Sequence, residues 1–354
     1  MASLLERLEK EGSAPLEPYG HQVGGHHLLV KYGNECICKP MDDKERGFYE
    51  SFSPELRIFT PSYYGVMTVS LKRLPSGEVQ ITGYPRQSAT SPSKQFTCST
   101  HGSILGGENS ITSKATNGAS YVNPWSQEFA KIVEEMLVTQ ENGTNSYSTD
   151  YVVLENLTSK FSAPSVLDLK VGTRQHSDTA SEEKIRKHSE TCTNSTSGSL
   201  GVRMCGMQKY DAAKNEYVFR DKYYGRSLSE DGFREELRSF LHNGVRFRSE
   251  LLSAIIGTLE ELVDVIQRQD SYRFFSSSLL IIYDGAEESG CSLTSSHPYT
   301  PPQGLTDTRR MVDIRMIDFN NCTAPDKDSN RYPGPDRGYL LGLHSIIDTF
   351  SKML

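Results

Sequence analysis

Short runs in which apolar residues recur at every second position dominate the first part of the chain. In "HHLLVKYGNECICK" (26–39) two such runs flank Tyr32-Gly33-Asn34-Glu35, which predicts a hairpin with Lys39 at its exit. A short helix is expected through "KERGFYESF", then strands through "YYGVMTVSLKRL" and "VQITGYP", parted by the breaker Pro75-Ser76-Gly77. The sum is a small, mainly antiparallel lobe. From about 86 to 123 the chain turns to Ser, Thr, Gly and Asn and reads as a polar insertion. Asn123 and Pro124 then suit the cap and first turn of a helix whose Trp125, Phe129, Ile132, Val133 and Met136 share one face.

The second part mixes the two periods. Strands are expected at "YVVLENL" (151–157), "PSVLDLKVG" (164–172), "GVRMCGMQKY", "EYVFRDKYYG", "RFFSSSLLIIYDG" (273–285) and "VDIRMIDF" (312–319). Helices are expected after Ser181, whose capping box is only partial because Lys184 stands where Glu or Gln would complete it, and from Arg248. In the latter, Leu252, Ile255, Leu259, Leu262 and Ile266 step by three and four, a stripe that predicts core. A Pro/Ser/Thr/Gly-rich loop (about 286–308) and a closing helix, "GYLLGLHSIIDTF", complete an α+β lobe.

Composition narrows the class. At 354 residues, 36% hydrophobic and 23% charged, the chain suits a two-lobed enzyme or two domains, with a boundary expected near 157/158. No window approaches the roughly 18 apolar residues of a membrane span, so no membrane insertion is expected. "MASLLERLEKEG" lacks the apolar core of a secretory signal. Seven cysteines without paired spacing suit reduced thiols, so cytoplasm or nucleus is the expected location. The net charge of -7 argues against a nucleic-acid partner, yet leaves room for a local basic pocket that takes a small anion.

The order of candidate groups points to nucleotide chemistry. A lysine after an N-terminal hairpin, a strand ending in an acid and a late "IDF" follow the order of two-lobed kinases. In that logic Lys39 meets nucleotide phosphates, Glu155 to Leu157 offers backbone groups to the adenine edge, and Asp318 holds magnesium between the phosphates. There is no Walker A, no G-x-G-x-x-G and no H-R-D segment, so neither a P-loop enzyme nor an ordinary protein kinase fits.

"PSVLDLKVG" matches the P-x-x-x-D-x-K-x-G signature of the inositol polyphosphate kinases. With "HQVGGH", "CKP", "NPWS", "LDLKVGTRQH", "SLGVRMCGMQKY", "SYRFFSSSLLIIYDG", "DIRMIDF" and "GPDRGYLLGL", the chain most resembles the hexakisphosphate branch of that family. The resemblance implies a two-lobed α+β fold of protein-kinase or ATP-grasp shape: an N-lobe of antiparallel sheet plus helix, a larger C-lobe, and a cleft between them. It also implies transfer of the ATP γ-phosphate to a phosphate of inositol hexakisphosphate, at the 5-position, with Mg2+.

Alternation along a strand puts Asp168 and Lys170 on one face, with Pro164 and Gly172 bracketing the run. The resemblance assigns Asp168 to the ATP ribose and Lys170 to the transferring phosphate and the inositol substrate. It gives Pro164, Gly172, Ser276, Ser278 and Asn321 places at the substrate, and strand alternation predicts Ser276 and Ser278 on a shared face. A polyanion needs several cations, so Arg174, His176, Lys184, Arg186, Lys187 and His188 are further candidates. Glu182, Glu183 and Glu190 interleave with them, however, and a solvated helix face explains the same pattern.

Two departures from the family pattern stand out: the segment "TASEEKIRKH" is shorter, and Asn321 replaces a histidine. The rival readings are a hydroxyl kinase of inositol tris- or tetrakisphosphate within the same family, and a non-catalytic inositol phosphate-binding scaffold. Protein partners and oligomeric state are not legible in the sequence.

Overall fold

The computed structural model describes residues 4–25, 27–86, 112–114, 120–122, 125–138, 146–286, 311–325 and 332–354. Asn123, Pro124, most of the polar insertion and nearly all of the 286–308 loop lie outside the described residues. Two compact units emerge: residues 1–57 with 61–159, and residues 58–60 with 160–354.

The first unit runs α1 (Leu4–Glu11), β1 (Ala14–Pro15), β2 (Glu17–Pro18), β3 (Val30–Tyr32), β4 (Cys36–Pro40), α2 (Asp43–Ser51), α3 (Pro54–Arg57), β5 (Tyr63–Arg73), β6 (Val79–Pro85), β7 (Thr112–Lys114), β8 (Ser120–Val122), α4 (Trp125–Val138) and β9 (Ser146–Glu155). Seven of its strands form one antiparallel sheet in the order β1-β6-β5-β9-β4-β3-β2. Alternation decides its faces. Cys36 and Cys38 of β4, Met67, Val69 and Leu71 of β5, and Tyr151 and Val153 of β9 join a core closed by Leu8 of α1 and Val133 and Leu137 of α4. Burial pushes the Cys36 thiol up to about 12 and Cys38 higher still, so both stay protonated and apolar. Lys39, one step out of phase with the cysteines, points to the other face.

The second unit runs β10 (Pro164–Val171), α5 (Glu182–Thr193), α6 (Thr196–Leu200), β11 (Val202–Asp211), β12 (Glu216–Arg220), α7 (Lys222–Ser227), α8 (Glu230–Phe240), α9 (Leu252–Arg268), β13 (Ser278–Asp284), β14 (Val312–Ile317) and α10 (Arg337–Ser351). Its sheet is antiparallel, ordered β12-β11-β10-β13-β14, with α9 and α10 packed on each other. The stripe Leu252, Ile255, Leu259, Leu262 and Ile266 is wholly buried, as its spacing predicts. Ser181 caps α5 by accepting the Lys184 N–H. The segment Ile58–Thr60 is stapled to this unit: Arg315 donates to the carbonyls of Ile58 (2.9 Å) and Thr60 (3.0 Å), and the Met316 N–H donates to Phe59 O at 2.7 Å.

Three expected strands end differently. "EYVFRDKYYG" is a strand only to Arg220, because Asp221 accepts the N–H groups of Tyr223 and Tyr224 and starts α7. The 151–157 strand stops at Glu155, where Asn156 turns the chain by bonding Asn34 O and Thr158. The 273–285 strand begins only at Ser278, since Ser277 donates back to Phe274 O through both N–H and hydroxyl while Ser276 takes the left-handed conformation (φ 61°). Strand alternation therefore does not govern Ser276, and the expectation that it shares a face with Ser278 on that ground is withdrawn.

Candidate active site

In the second unit, antiparallel pairing brings four chain segments to one end of the sheet. Lys170 lies opposite Ser278 on one side and Arg203 on the other, and Ser278 lies opposite Ile317. The end of β10, the starts of β11 and β13, and the end of β14 thus coincide. Asp318 follows β14 directly in the left-handed conformation (φ 65°), which aspartate tolerates better than most residues. Gly172 (φ 104°) ends β10 by donating its N–H to Gly201 O at 2.7 Å. Positive φ at the non-glycine residues Ser276 and Asp318, at one end of the sheet, marks a place where the chain holds costly conformations.

Asp168 is buried on the face it shares with Lys170, and its Oδ1 has no hydrogen-bond partner. Ser278 lies close enough to act on that carboxyl, yet its buried hydroxyl also lacks a hydrogen bond. Burial above all pushes the Asp168 carboxyl up to about 6; Lys170 pulls it down and Asp318 pushes it further up. Two carboxylates and an ammonium therefore act on one another here. Lys170 Nζ donates to Ser276 Oγ at 3.3 Å. Cys205, the extra residue of a bulge opposite Asp168 and Leu169, feels Asp168, Lys170 and Asp318 in turn.

A basic cluster adjoins these groups. His188 Nδ1 sits 2.6 Å from Gln175 O, and burial, followed by the charges of Lys184, His176 and Lys170, lowers its pKa. Lys184, one helical turn from His188, reaches Asn321 Oδ1 at 3.5 Å, which joins α5 to the loop after Asp318. Lys187 is exposed on the flank of that face. Four groups that carry or can acquire positive charge within mutual reach favour an anionic occupant.

Other expected residues are set apart. Arg186, two positions from Lys184 and so on the far side of the helix, pairs with Glu190 at 2.8 Å. Pro164 opens β10 at the opposite end, opposite Asp284, roughly 20 Å from Lys170 at about 3.3 Å per residue. An extended strand cannot bring both ends to one ligand site, so Pro164 is corrected to a structural position. Arg174 is absorbed inside the unit: it donates to His176 O, Tyr332 Oη and Asp178 Oδ1, and stacks 4.1 Å over Phe275. Asp178 also accepts from Tyr332 and Thr323. That knot braces the chain beside the basic cluster, and nothing in the sequence pattern distinguished Asp178 or Tyr332.

In the first unit, Lys39 and Glu45 form a buried bidentate pair, Nζ lying 2.9 Å from both carboxylate oxygens. Glu45 is in the first turn of α2, held there by the Asp42 cap. Kinases use this pairing of strand lysine and helix glutamate to steady a phosphate-binding ammonium. Sequence reading missed Glu45, because Asp43 and Glu50 in the same helix look no different until packing buries one of them. The Glu155 carboxylate accepts from both N–H and hydroxyl of Ser62 (3.0 Å each), and the Glu155 and Asn156 N–H groups are spent on Ser62 O and Glu35 O. The Leu157 N–H has no hydrogen-bond partner among the described residues, which leaves it available to a ligand acceptor.

A divalent ion fits the Asp318 carboxylate, whereas the unpartnered oxygen of the neighbouring Asp168 suits a hydroxyl donor. No group of three or more His, Cys, Asp or Glu among the described residues forms a complete protein cage. Such a donor set suits an ion that completes its shell with phosphate oxygens and water.

Paired carboxylates beside a cationic cluster, on a two-unit α+β chain with a lysine–glutamate pair joining its first sheet to α2, define a phosphoryl-transfer protein of the kinase class. The match to known families is specific: residues 151–351 fit the model of the family described as inositol polyphosphate kinase. The chain is 38% identical to human inositol hexakisphosphate kinase 3 over 94% of its own length and 93% of that protein's. It is 34% identical to human inositol hexakisphosphate kinase 1 over 96% and 93%. The fold also resembles that of the inositol phosphate multikinase Ipk2 from S. cerevisiae, solved with ADP and Mn2+, at a TM-score of 0.55 and 21% identity over 90% of this chain and 99% of that one. The chain belongs to the inositol polyphosphate kinase family.

Proposed function

We propose that this protein transfers the γ-phosphate of ATP to a phosphate group of inositol hexakisphosphate, giving a diphosphoinositol pentakisphosphate. The observation that carries the reading is the cluster Lys170, His176, Lys184 and His188 beside the paired carboxylates Asp168 and Asp318, on a chain 38% identical to a hexakisphosphate kinase. The 5-position and Mg2+ are part of the proposal.

In this reading Asp168 accepts the ribose hydroxyls of ATP, Leu157 N–H and Glu155 O meet the adenine edge, and Lys39, steadied by Glu45, contacts the phosphates. Mg2+ held by Asp318 would neutralise charge between the phosphates. Lys170 stands between donor and acceptor, where its ammonium offsets the repulsion of two polyanions and the charge that develops on the transferring group. Lys184, His188 and the amide of Asn321 hold the inositol phosphates. The acceptor oxygen of a phosphate is already ionised near neutral pH, so no side chain has to remove a proton, and none is assigned as base. Free thiols at Cys36, Cys38, Cys192, Cys205 and Cys322 suit a reducing compartment, cytoplasm or nucleus. Among the described residues no helix is long and apolar enough to cross a membrane.

The test is phosphorus NMR of the products from Mg-ATP and inositol hexakisphosphate. A β-phosphate signal from a ring diphosphate is expected, and its position follows from the coupling pattern. Monoester formation on inositol tris- or tetrakisphosphate, with no diphosphate, would replace the reading by a hydroxyl kinase; no turnover of either would leave a binding protein.

A further inference from the structure

The second unit contains a cavity of about 330 Å3, lined by Lys209, Glu235, Arg238, Ser239, His242 and Phe247, to which the proposed reaction gives no part. It is remote from Lys170. Arg203 is the β11 partner of Lys170, and Lys209 lies further along the same strand, roughly 20 Å away at about 3.3 Å per residue.

Its lining is rich in unspent donors. Lys209, half-buried, donates to Ser239 O (2.9 Å) and Ser239 Oγ (3.1 Å), which leaves one N–H of its ammonium without a partner among the described residues. Arg238 lies 4.9 Å over the Phe247 ring, and its guanidinium meets no carboxylate among the described residues. His242 Nδ1 accepts the Gly244 N–H at 3.1 Å, so the neutral ring carries its proton on Nε2 as a donor. Burial, first of all, lowers the Lys209 pKa, whereas Glu236 and Asp211 raise it. Those two acids are engaged elsewhere, Glu236 with Tyr224 and Arg220, Asp211 with the N–H groups of Ala213 and Lys214. Glu235 is the one acid in the lining.

We propose that this cavity is a second anion site, which takes a compact phosphate or phosphate monoester between Lys209, Arg238 and His242. Two fixed cations against one carboxylate suit a single phosphate group rather than a polyphosphate. The planar Arg238 guanidinium over the Phe247 ring presents a fork to phosphate oxygens.

The experiment follows the His242 C2 proton by NMR in the full chain, assigned by its loss in His242→Gln, during titration with orthophosphate, glycerol 2-phosphate and acetate. Saturable shifts with both phosphates are expected. Arg238→Gln, at an exposed position, is expected to weaken them about tenfold, the scale of one hydrogen bond to a charged group. Glu235→Gln is expected to tighten them. A His242 signal that does not respond, or that responds equally in wild type and Arg238→Gln, overturns the proposal; a response to acetate alone overturns the phosphate assignment. The readout is local to His242, so phosphate bound near Lys170 does not imitate it.

Discussion

Among the described residues Lys170 makes one hydrogen bond, to the Ser276 hydroxyl, and stands half-buried at the end of β10. Its removal leaves the hydrophobic core intact and takes away the ammonium between donor and acceptor. Lys170→Ala should therefore lose about 10²- to 10³-fold in turnover, the scale of one preorganised electrostatic group, with an unchanged melting curve. Retained turnover would remove Lys170 from the mechanism. Lys39 and Glu45 make the opposite case, because breaking the pair strands a buried charge. Glu45→Ala should cost about 3–5 kcal/mol in urea denaturation, and the double variant Lys39→Met/Glu45→Leu should recover most of that while staying inactive. If the double variant proved as unstable as the single one, the penalty would not come from the uncompensated ammonium.

Close approach at the element scale fixes the edge that carries the site. A Cβ on Gly342 would collide with Gly201 O and the Val171 side chain, so α10 lies directly on the turn joining α6 to β11. Gly201 itself has φ 66°, and its carbonyl receives the Gly172 N–H. Gly342→Ala should destabilise by about 1–3 kcal/mol through overpacking and should also reduce turnover, because Gly172 shifts with it. Calorimetry and a kinetic assay check the two effects separately. At the other end of the chemistry-bearing strands, burial drives the Asp313 carboxyl up, but Arg315 (2.6 Å) and Lys160 (2.8 Å) outweigh it and hold the group below the ordinary carboxylate value. A lowered folded pKa means that its stabilisation is complete above about pH 4 and is lost as the pH falls through the folded value. Asp313→Asn should flatten the acid limb of the stability profile. An unchanged limb would assign acid lability to other carboxylates. Ordinary patterning reveals α9 and the Ser181 cap, since each depends on neighbours in sequence. It does not reveal the Ser276 turn, which depends on Phe274 being bonded to Asp336 at the start of α10.

For the molecule as a whole, ligand binding and stability are linked. Inositol hexakisphosphate at 100 times its Kd should stabilise the unit that holds it by about 2.7 kcal/mol, and Lys184→Ala should reduce that gain at the same concentration. An equal gain in the variant would place the polyanion away from α5. Local signals along the chain suffice for the antiparallel first lobe, the mixed second lobe, the buried stripe of α9, and Asp168 and Lys170 on one strand face. These depend on period, caps and breakers within a few residues, and the "PSVLDLKVG" signature lies within one element. Which cations face one another is set by packing: Lys184 toward Asn321, Arg186 away toward Glu190, and Arg174 into its knot with Asp178 and Tyr332. Packing also chose Glu45 from several acids as the partner of Lys39 and brought Asp318 beside Asp168 from the far side of the chain. The physical reason is that charge acts through space, and the distance between two charged side chains is set by strand pairing and helix rotation, which residue spacing along the chain does not record.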